Sequence, residues 1–167
     1  VLPMFREMRR KKQALPEPEC FAVLDRNTAG VLALSGDGGY PYAVPISYVR
    51  DGGRILFHSA KSGHKLDAVA RCERASFCVI DRDQVVPEEY TTYFRSVIAF
   101  GRIRLLEAPE EKRRAIELLA RRYAPEDTPA NRDAAIDREF APLCMLELSI
   151  EHLSGKEAIE LVKARQQ

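Results

Sequence analysis

The chain has 167 residues and a mass of 18.9 kDa, the size of one ordinary globular domain. Hydrophobic residues make up 46% of it and charged residues 31%, which is enough apolar material to form a core and excludes a globally disordered chain. Lysine and arginine number 26 against 25 acidic residues, so the net charge of +1 gives no electrostatic reason to bind a polyanion. We therefore predict no nucleic-acid partner.

The sequence has no apolar run of the roughly 18 residues that a membrane-spanning helix requires, and its basic start lacks a following apolar signal core. We expect no membrane partner and a cytoplasmic location. The cysteines are spaced widely and irregularly, at Cys20, Cys72, Cys78 and Cys144. Such spacing favours free thiols in a reducing compartment over disulfides. His58, His64, Cys72 and Cys78 are possible zinc ligands, but their irregular intervals do not fit the close ligand pairs of a zinc site. We predict no metal site.

Residues 1–15 form a basic arm, and residues 16–167 are predicted to form a single domain. After the two prolines at positions 16 and 18, residues 19–24 have the apolar spacing of a short helix. Helices are also predicted over residues 63–70, after the capping Ser62, and over residues 110–123. The proline-rich stretch 124–138 is predicted to be a loop, and a short tail helix follows Gly155.

Alternating apolar runs separated by glycine turns predict six strands, with the first three in a meander. The runs are residues 30–34, 40–49, 54–59, 75–80, 93–106 and 143–150. Gly101 is expected at a bend or bulge of the fifth strand, and residues 81–89 form a polar connection before it. This pattern indicates a mainly β (α+β) fold, a six-stranded antiparallel barrel, closed or half-closed, with flanking helices.

The stretch 56–66 concentrates groups that bind anions where a strand passes into a helix. Its polar side chains are His58, Ser59, Lys61, Ser62, His64 and Lys65. Hydroxyl donors, ammonium groups and the free N–H groups of a helix amino terminus would together suit a phosphate monoester. A solvated strand-to-helix turn accounts for the same residues equally well.

The preceding run, residues 41–48, is apolar and aromatic, and Pro45 within it favours an edge or a bulge of the sheet. A flat ring could lie against such an edge. The plainer interpretation is that Val44, Ile46 and Tyr48 line the barrel.

Taken in order, several segments resemble the split-barrel flavin-binding proteins related to pyridoxamine phosphate oxidase. They are residues 30–34, 41–48, 56–66 and 100–103. Within that group the chain is most similar to the nitroimidazole-resistance (Nim) branch. The shared segments are Met-Arg-Arg-Lys at 8–11, Arg-Tyr-Ala-Pro-Glu at 122–126 and Ser-Gly-Lys-Glu-Ala at 154–158.

The resemblance implies a homodimer with FMN at its interface and with the phosphate of FMN in the 56–66 stretch. By position, Ser59, His64 and Lys65 would hold this phosphate. Lys61 and Ser62 would assist them.

The resemblance also assigns residues to the isoalloxazine ring. The backbone that would meet the ring belongs to Val44, Pro45, Ile46 and Ser47. Ser96 falls where the family places a polar contact to the flavin. His58 is the nearest match to a histidine that lies close to the flavin in the Nim branch, and it is the predicted catalytic residue.

The function implied is an FMN-dependent oxidoreductase in which reduced FMN passes electrons to a small aromatic substrate such as a nitro compound. The oxidases carry arginine where His64 stands and use a tryptophan near the carboxyl terminus, whereas this chain has no Trp. These departures argue against pyridoxamine phosphate oxidation. Two alternatives stay open, a deazaflavin-using reductase and a non-catalytic flavin or haem binding protein, for which His58, His64 and His152 are the available imidazoles.

Overall fold

A computed structural model describes residues 4–167, so residues 1–3 of the predicted basic arm lie outside it. Within the described range, seven strands form one antiparallel sheet in the order β2-β1-β5-β6-β7-β4-β3. The strands are β1 (Ala29–Ser35), β2 (Pro41–Ser47), β3 (Val49–Asp51), β4 (Arg54–Ala60), β5 (Arg74–Val86), β6 (Thr91–Leu105) and β7 (Leu143–Glu157). The helices are α1 (Glu17–Arg26), α2 (His64–Arg71), α3 (Pro109–Tyr123), α4 (Pro129–Glu139) and α5 (Ile159–Arg165).

The mainly β, antiparallel architecture is confirmed, but the prediction of six strands is wrong because the second run divides at Tyr48. Up to Ser47 the run pairs with β1, whereas from Val49 it pairs with β4 at the opposite edge of the sheet. The Tyr48 ring is buried, and its hydroxyl donates to the Leu24 carbonyl at 2.6 Å. One continuous run therefore supplies both edge strands, which requires the sheet to curl into a half-barrel and rules out the predicted meander.

The concave face of the sheet encloses the main core. Its largest fully buried members include Tyr48, Phe57, Phe77, Leu32, Ile55 and Leu148, with Val23 and Leu24 of α1 packed against them. A second cluster lies on the other face of β4 and β7, where Leu56 and Met145 pack under Ile116 of α3 and Ile136 of α4. Strands β4 and β7 are therefore covered on both faces.

Two segments differ from the sequence prediction. The stretch 124–138 was predicted to be a loop, but residues 129–139 form α4. The amino terminus of α4 is capped by Thr128, whose side chain accepts a hydrogen bond from the Asn131 N–H at 3.2 Å. The predicted polar connection 81–89 instead continues β5 as far as Val86, because the ladder with β6 resumes after a register shift between Ile80 and Arg82.

The predicted irregularity at Gly101 is confirmed. The register of β6 against β7 shifts between Phe100 and Gly101. A Cβ at Gly101 would meet the Ser149 carbonyl oxygen at 1.9 Å, so this close approach of two strands requires glycine.

The described part of the amino-terminal arm packs on the sheet. The Phe5 ring stacks on His152 with 4.8 Å between centroids, and the Leu15 N–H donates to the Gly155 carbonyl at 2.9 Å. None of the helices within residues 4–167 is both long and apolar enough to cross a membrane.

Candidate functional site

The turn between β4 and α2 gathers most of the residues predicted to bind an anion. β4 ends at Ala60, residues 61–63 turn, and α2 begins at His64 without a side-chain cap. Gly63 has φ of +132°, a conformation that side chains rarely adopt, so a glycine fixes the entry into the helix. The uncapped N–H groups at the start of α2 are therefore free to face a ligand.

His58 and Ser59, both assigned to the site, lie on opposite faces of β4. Ser59 shares the concave face with the buried Ile55 and Phe57, whereas His58 is exposed on the face that carries α3. Successive side chains of a strand alternate between faces, so this separation is a property of the backbone. The two residues consequently serve different regions of the site.

Lysines collect around the buried thiol of Cys144, which pairs with Ser59 in the ladder of β4 and β7. Burial raises the pKa of this thiol, whereas the ammonium groups of Lys112, Lys65 and Lys61 each lower it. The Cys144 Sγ donates to the Ala60 carbonyl at 3.1 Å, so the thiol lies where β4 passes into the turn that carries Lys61. Lys112 was not singled out by its sequence, because it lies far along the chain on α3.

His64 contacts the loop between β1 and β2. Its ring stacks on Tyr42 with 3.9 Å between centroids, and its Nε2 lies 3.7 Å from Asp37 Oδ2. Arg71 also contacts Asp37, at 2.9 Å. The imidazole therefore sits at the rim of the turn, between the predicted phosphate ligands and the β1–β2 loop.

The predicted ring-binding segment is confirmed as an edge strand. Within the described chain, β2 pairs only with β1, so the backbone groups on its other side are free. Val44 and Ile46 pack inward, whereas Pro45 is exposed. The backbone of residues 44–47 is thus open to the edge of a flat ligand, while two of its side chains also serve as barrel lining.

A cavity of about 430 Å³ brings Ser47 and His58 together under α3. Its walls are mainly apolar, and Tyr123 and Glu139 add polar groups. The apolar lining residues are Ile116, Leu119, Ala120 and Leu143. This volume is within the range of small-molecule sites.

Tyr123 fixes the carboxyl end of α3 over the point where β2 passes into β3. Its hydroxyl donates to the Thr28 carbonyl and accepts from the Tyr48 N–H at 3.2 Å. The sequence predicted the helix α3 but not what it covers, and α4, which supplies Glu139, was missed. Of the residues that line this cavity, Ser47 and His58 are the two that the sequence had singled out as site residues.

Ser96 does not join the other site residues within one chain. It pairs with Ile80 of β5 and Lys156 of β7, whereas Ser59 pairs with Cys144 at the other end of β7. At roughly 3.3 Å per residue, these two points are about 40 Å apart along the strand. A site that uses both Ser59 and Ser96 therefore needs two chains.

Within residues 4–167, no group of three or more histidine, cysteine or carboxylate side chains is arranged to hold a metal ion. The four cysteines are free thiols; Cys20 and Cys144 are buried, and Cys72 and Cys78 are half-buried.

Comparison with known proteins identifies the relatives of the chain. The profile of the family described as pyridoxamine 5'-phosphate oxidase matches residues 16–157. No curated protein matches the chain at a significant level. The family resemblance noted in the sequence is thereby confirmed.

Three solved structures illustrate the similarity. A conserved hypothetical protein of Mycobacterium tuberculosis superposes with a TM-score of 0.78 at 20% identity, over 90% of each chain. A proposed 5-nitroimidazole antibiotic resistance protein of Bacteroides thetaiotaomicron gives a TM-score of 0.71 at 18% identity, over 86% of each chain. An FAD and haem binding protein of Mycobacterium smegmatis gives 0.73 at 26% identity, over 92% of this chain and 80% of that one.

Proposed function

The chain belongs to the pyridoxamine 5'-phosphate oxidase family, and on that premise we propose that it is an FMN-binding oxidoreductase that acts as a homodimer on a small aromatic substrate. The observation that carries the proposal is the turn from β4 to α2, where a buried hydroxyl, several lysines and an uncapped helix amino terminus meet. Relatives of the same fold include an FAD and haem binding protein. The free cysteines fit a cytoplasmic protein.

The residues present fit the phosphate of FMN. Ser59 would donate a hydroxyl, and Lys65 and Lys61 would supply charge-assisted hydrogen bonds. Ser62 and the N–H groups that follow Gly63 lie on the same turn, and His64 lies at its rim. A nearly dianionic group would balance the positive charge of Lys61 and Lys65.

A homodimer is supported by the outer face of the sheet. Val31, Cys78 and Ile98 form one row across β1, β5 and β6, and Ile80 and Ser96 lie next to it. Three of these are large exposed hydrophobic residues, with Ile80 63% exposed. A second copy on this face would cover the apolar row and bring the partner subunit's Ser96 to an interface. The proposed site would then be shared between protomers.

The substrate class follows from the cavity under α3. Its apolar walls suit a small aromatic ring, and His58 offers the proton donor that reduction of a nitro or carbonyl oxygen requires. The lining of this cavity supplies no lysine or arginine to take a substrate phosphate. An unphosphorylated substrate is therefore proposed in preference to pyridoxamine phosphate.

Bound FMN would supply the electron transfer, so the protein need only bind, orient and shield the reactants. The backbone of residues 44–47 orients the ring at the edge of β2. The apolar lining from α3 excludes water from the substrate, and the His58 imidazole delivers a proton from the α3 side of β4. This mechanism requires no second acid-base residue beside His58.

The test is a spectrum of the purified protein followed by titration with FMN. We expect a yellow protein, or an apoprotein that quenches FMN fluorescence on binding, together with a dimer in sedimentation analysis. Reduction of a nitroaromatic compound is then measured with chemically reduced FMN. A protein that neither retains nor takes up a flavin would refute the proposal.

The second candidate is a non-catalytic flavin or haem binding protein of the same fold. It is favoured by one observation: His58 is exposed and lines the cavity under α3, whereas the His64 ring stacks on Tyr42 and the His152 ring stacks on Phe5. Haem bound there would give a Soret band that is lost in His58→Ala. A flavin spectrum without a Soret band excludes haem, and turnover of the nitroaromatic compound then supports the main proposal over a non-catalytic flavin binding protein.

A further inference from the structure

We infer that Lys112, on α3, is a third cation of the phosphate site, so that the helix covering the cavity also binds the cofactor. This inference rests on the proposed function and adds to it a residue from a different part of the chain. It arises from the position of the Lys112 ammonium group, its partners and the charges around it.

Lys112 is held against the end of β4 by the segment that precedes β7. Its Nζ donates to the Phe140 carbonyl and lies 4.3 Å from the centre of the Phe140 ring. A few residues later, Leu143 pairs with Ala60, the last residue of β4. The ammonium group is therefore beside the turn that carries Lys61 and Ser62.

Asp67 is the acidic residue in the first turn of α2, and it forms no ion pair with the lysines of this region. Among the described residues, none of Lys61, Lys65 and Lys112 forms an ion pair with a carboxylate, whereas Arg71 on α2 and Arg113 on α3 do. Burial lowers the pKa of Lys112, and the nearby Lys61 lowers it further. Each of the three ammonium groups also lowers the pKa of the Cys144 thiol, against the larger effect of burial.

Like charges held together destabilise a site unless an anion offsets them. A phosphate monoester carries about two negative charges, so a cluster of three cations and a serine hydroxyl would match it. A carbonyl and an aromatic face, the present partners of Lys112, offer only partial charges. The alternative is that Lys112 serves only to cap the carboxyl end of α4.

Titration of the apoprotein with FMN and with riboflavin separates the two roles, because the ligands differ only in the phosphate. In Lys112→Met we expect the Kd for FMN to rise about tenfold and the Kd for riboflavin to stay unchanged. Lys112→Arg keeps the positive charge and should retain most of the FMN affinity. Lys163→Met, on the exposed side of α5, is the matched control and should bind both ligands as wild type does.

Equal FMN affinity in Lys112→Met and wild type would overturn the inference while leaving the proposed function intact. An equal loss for FMN and riboflavin would also overturn it, since a capping role or a misfolded turn affects both ligands. If the wild type itself binds neither ligand, the proposed function fails and the inference fails with it. A weaker dependence of FMN affinity on salt in Lys112→Met would be a second supporting result.

Discussion

His58 and Ser59 are adjacent in the chain, yet β4 directs the exposed imidazole toward the cavity under α3 and the buried hydroxyl toward the concave face of the sheet. One dipeptide therefore connects two regions, one suited to a substrate and the other to an anion. If the proposed function is right, changes to these two residues should affect different steps.

His58→Gln should leave FMN affinity close to that of the wild type and lower kcat for a nitroaromatic substrate at least tenfold, because general acid catalysis contributes roughly 10²–10⁴-fold. The measurement is steady-state turnover with the protein saturated in FMN. Ser59→Ala is the reciprocal variant: it should weaken FMN binding several-fold and leave kcat unchanged once FMN is saturating. A parallel loss of FMN affinity in both variants would contradict the separation of roles.

Lys65→Ala should raise the Kd for FMN by about tenfold or more, because a charge-assisted hydrogen bond contributes roughly 1.5–3 kcal/mol. The change should be smaller at high salt, where the cation contributes less in the wild type. Fluorescence titration at two salt concentrations measures both effects. Lys163→Ala on α5 is the control, and an unchanged Kd in Lys65→Ala would mean that the phosphate lies elsewhere.

The turn that carries these lysines could be predicted from the sequence because it is local. Strand pattern, glycine and helix start follow one another within residues 56–66, so no distant contact is needed to form it. The cavity could not be predicted in the same way. It depends on α3 and α4 folding back over β4, and the short polar stretch at Thr128 gave only a weak signal for α4.

The division of the second strand run at Tyr48 was missed for a related reason. Both halves alternate as strands should, and nothing local separates them. The break is imposed by contacts from elsewhere, since the Tyr48 N–H donates to the Thr28 carbonyl and its hydroxyl to that of Leu24. Contacts with α1 and with Thr28, the residue before β1, therefore determine which strand each half pairs with. The periodicity of the sequence does not reveal these contacts.

Gly63→Ala should destabilise the protein by about 1–3 kcal/mol and weaken FMN binding, because φ of +132° is strained for any residue with a Cβ. Space is not the cause, since no atom lies within 4 Å of the added Cβ. Urea unfolding measures the free energy of unfolding, and fluorescence titration measures the affinity for FMN. Gly53→Ala is the control, because that position also has open space but no positive φ. Equal effects of the two substitutions would show that backbone conformation at residue 63 is unimportant.

Asp81 lies at the centre of a network of charged side chains that joins α1 to the long β5–β6 hairpin. Its side chain is 7% exposed and accepts hydrogen bonds from Arg26, Asn27 and Arg95 at 2.5–3.0 Å. Hydrogen bonding from Arg26 is the main reason why the pKa of Asp81 is held well below its usual range, against the opposing effect of burial. The folded chain therefore favours the carboxylate.

A carboxyl group whose pKa is depressed by folding stabilises the protein fully at neutral pH and loses that contribution as the pH falls below about 4, the value in the unfolded chain. Asp81→Asn should thus lower the free energy of unfolding by about 2 kcal/mol at pH 7. The difference in unfolding free energy between Asp81→Asn and the wild type should narrow by about 1 kcal/mol as the pH falls from 5 to 3. Urea unfolding at these pH values is the measurement, with Asp83→Asn, an exposed change on the same strand, as the control. A gap that stays constant with pH would show that the charge of Asp81 does not stabilise this hairpin.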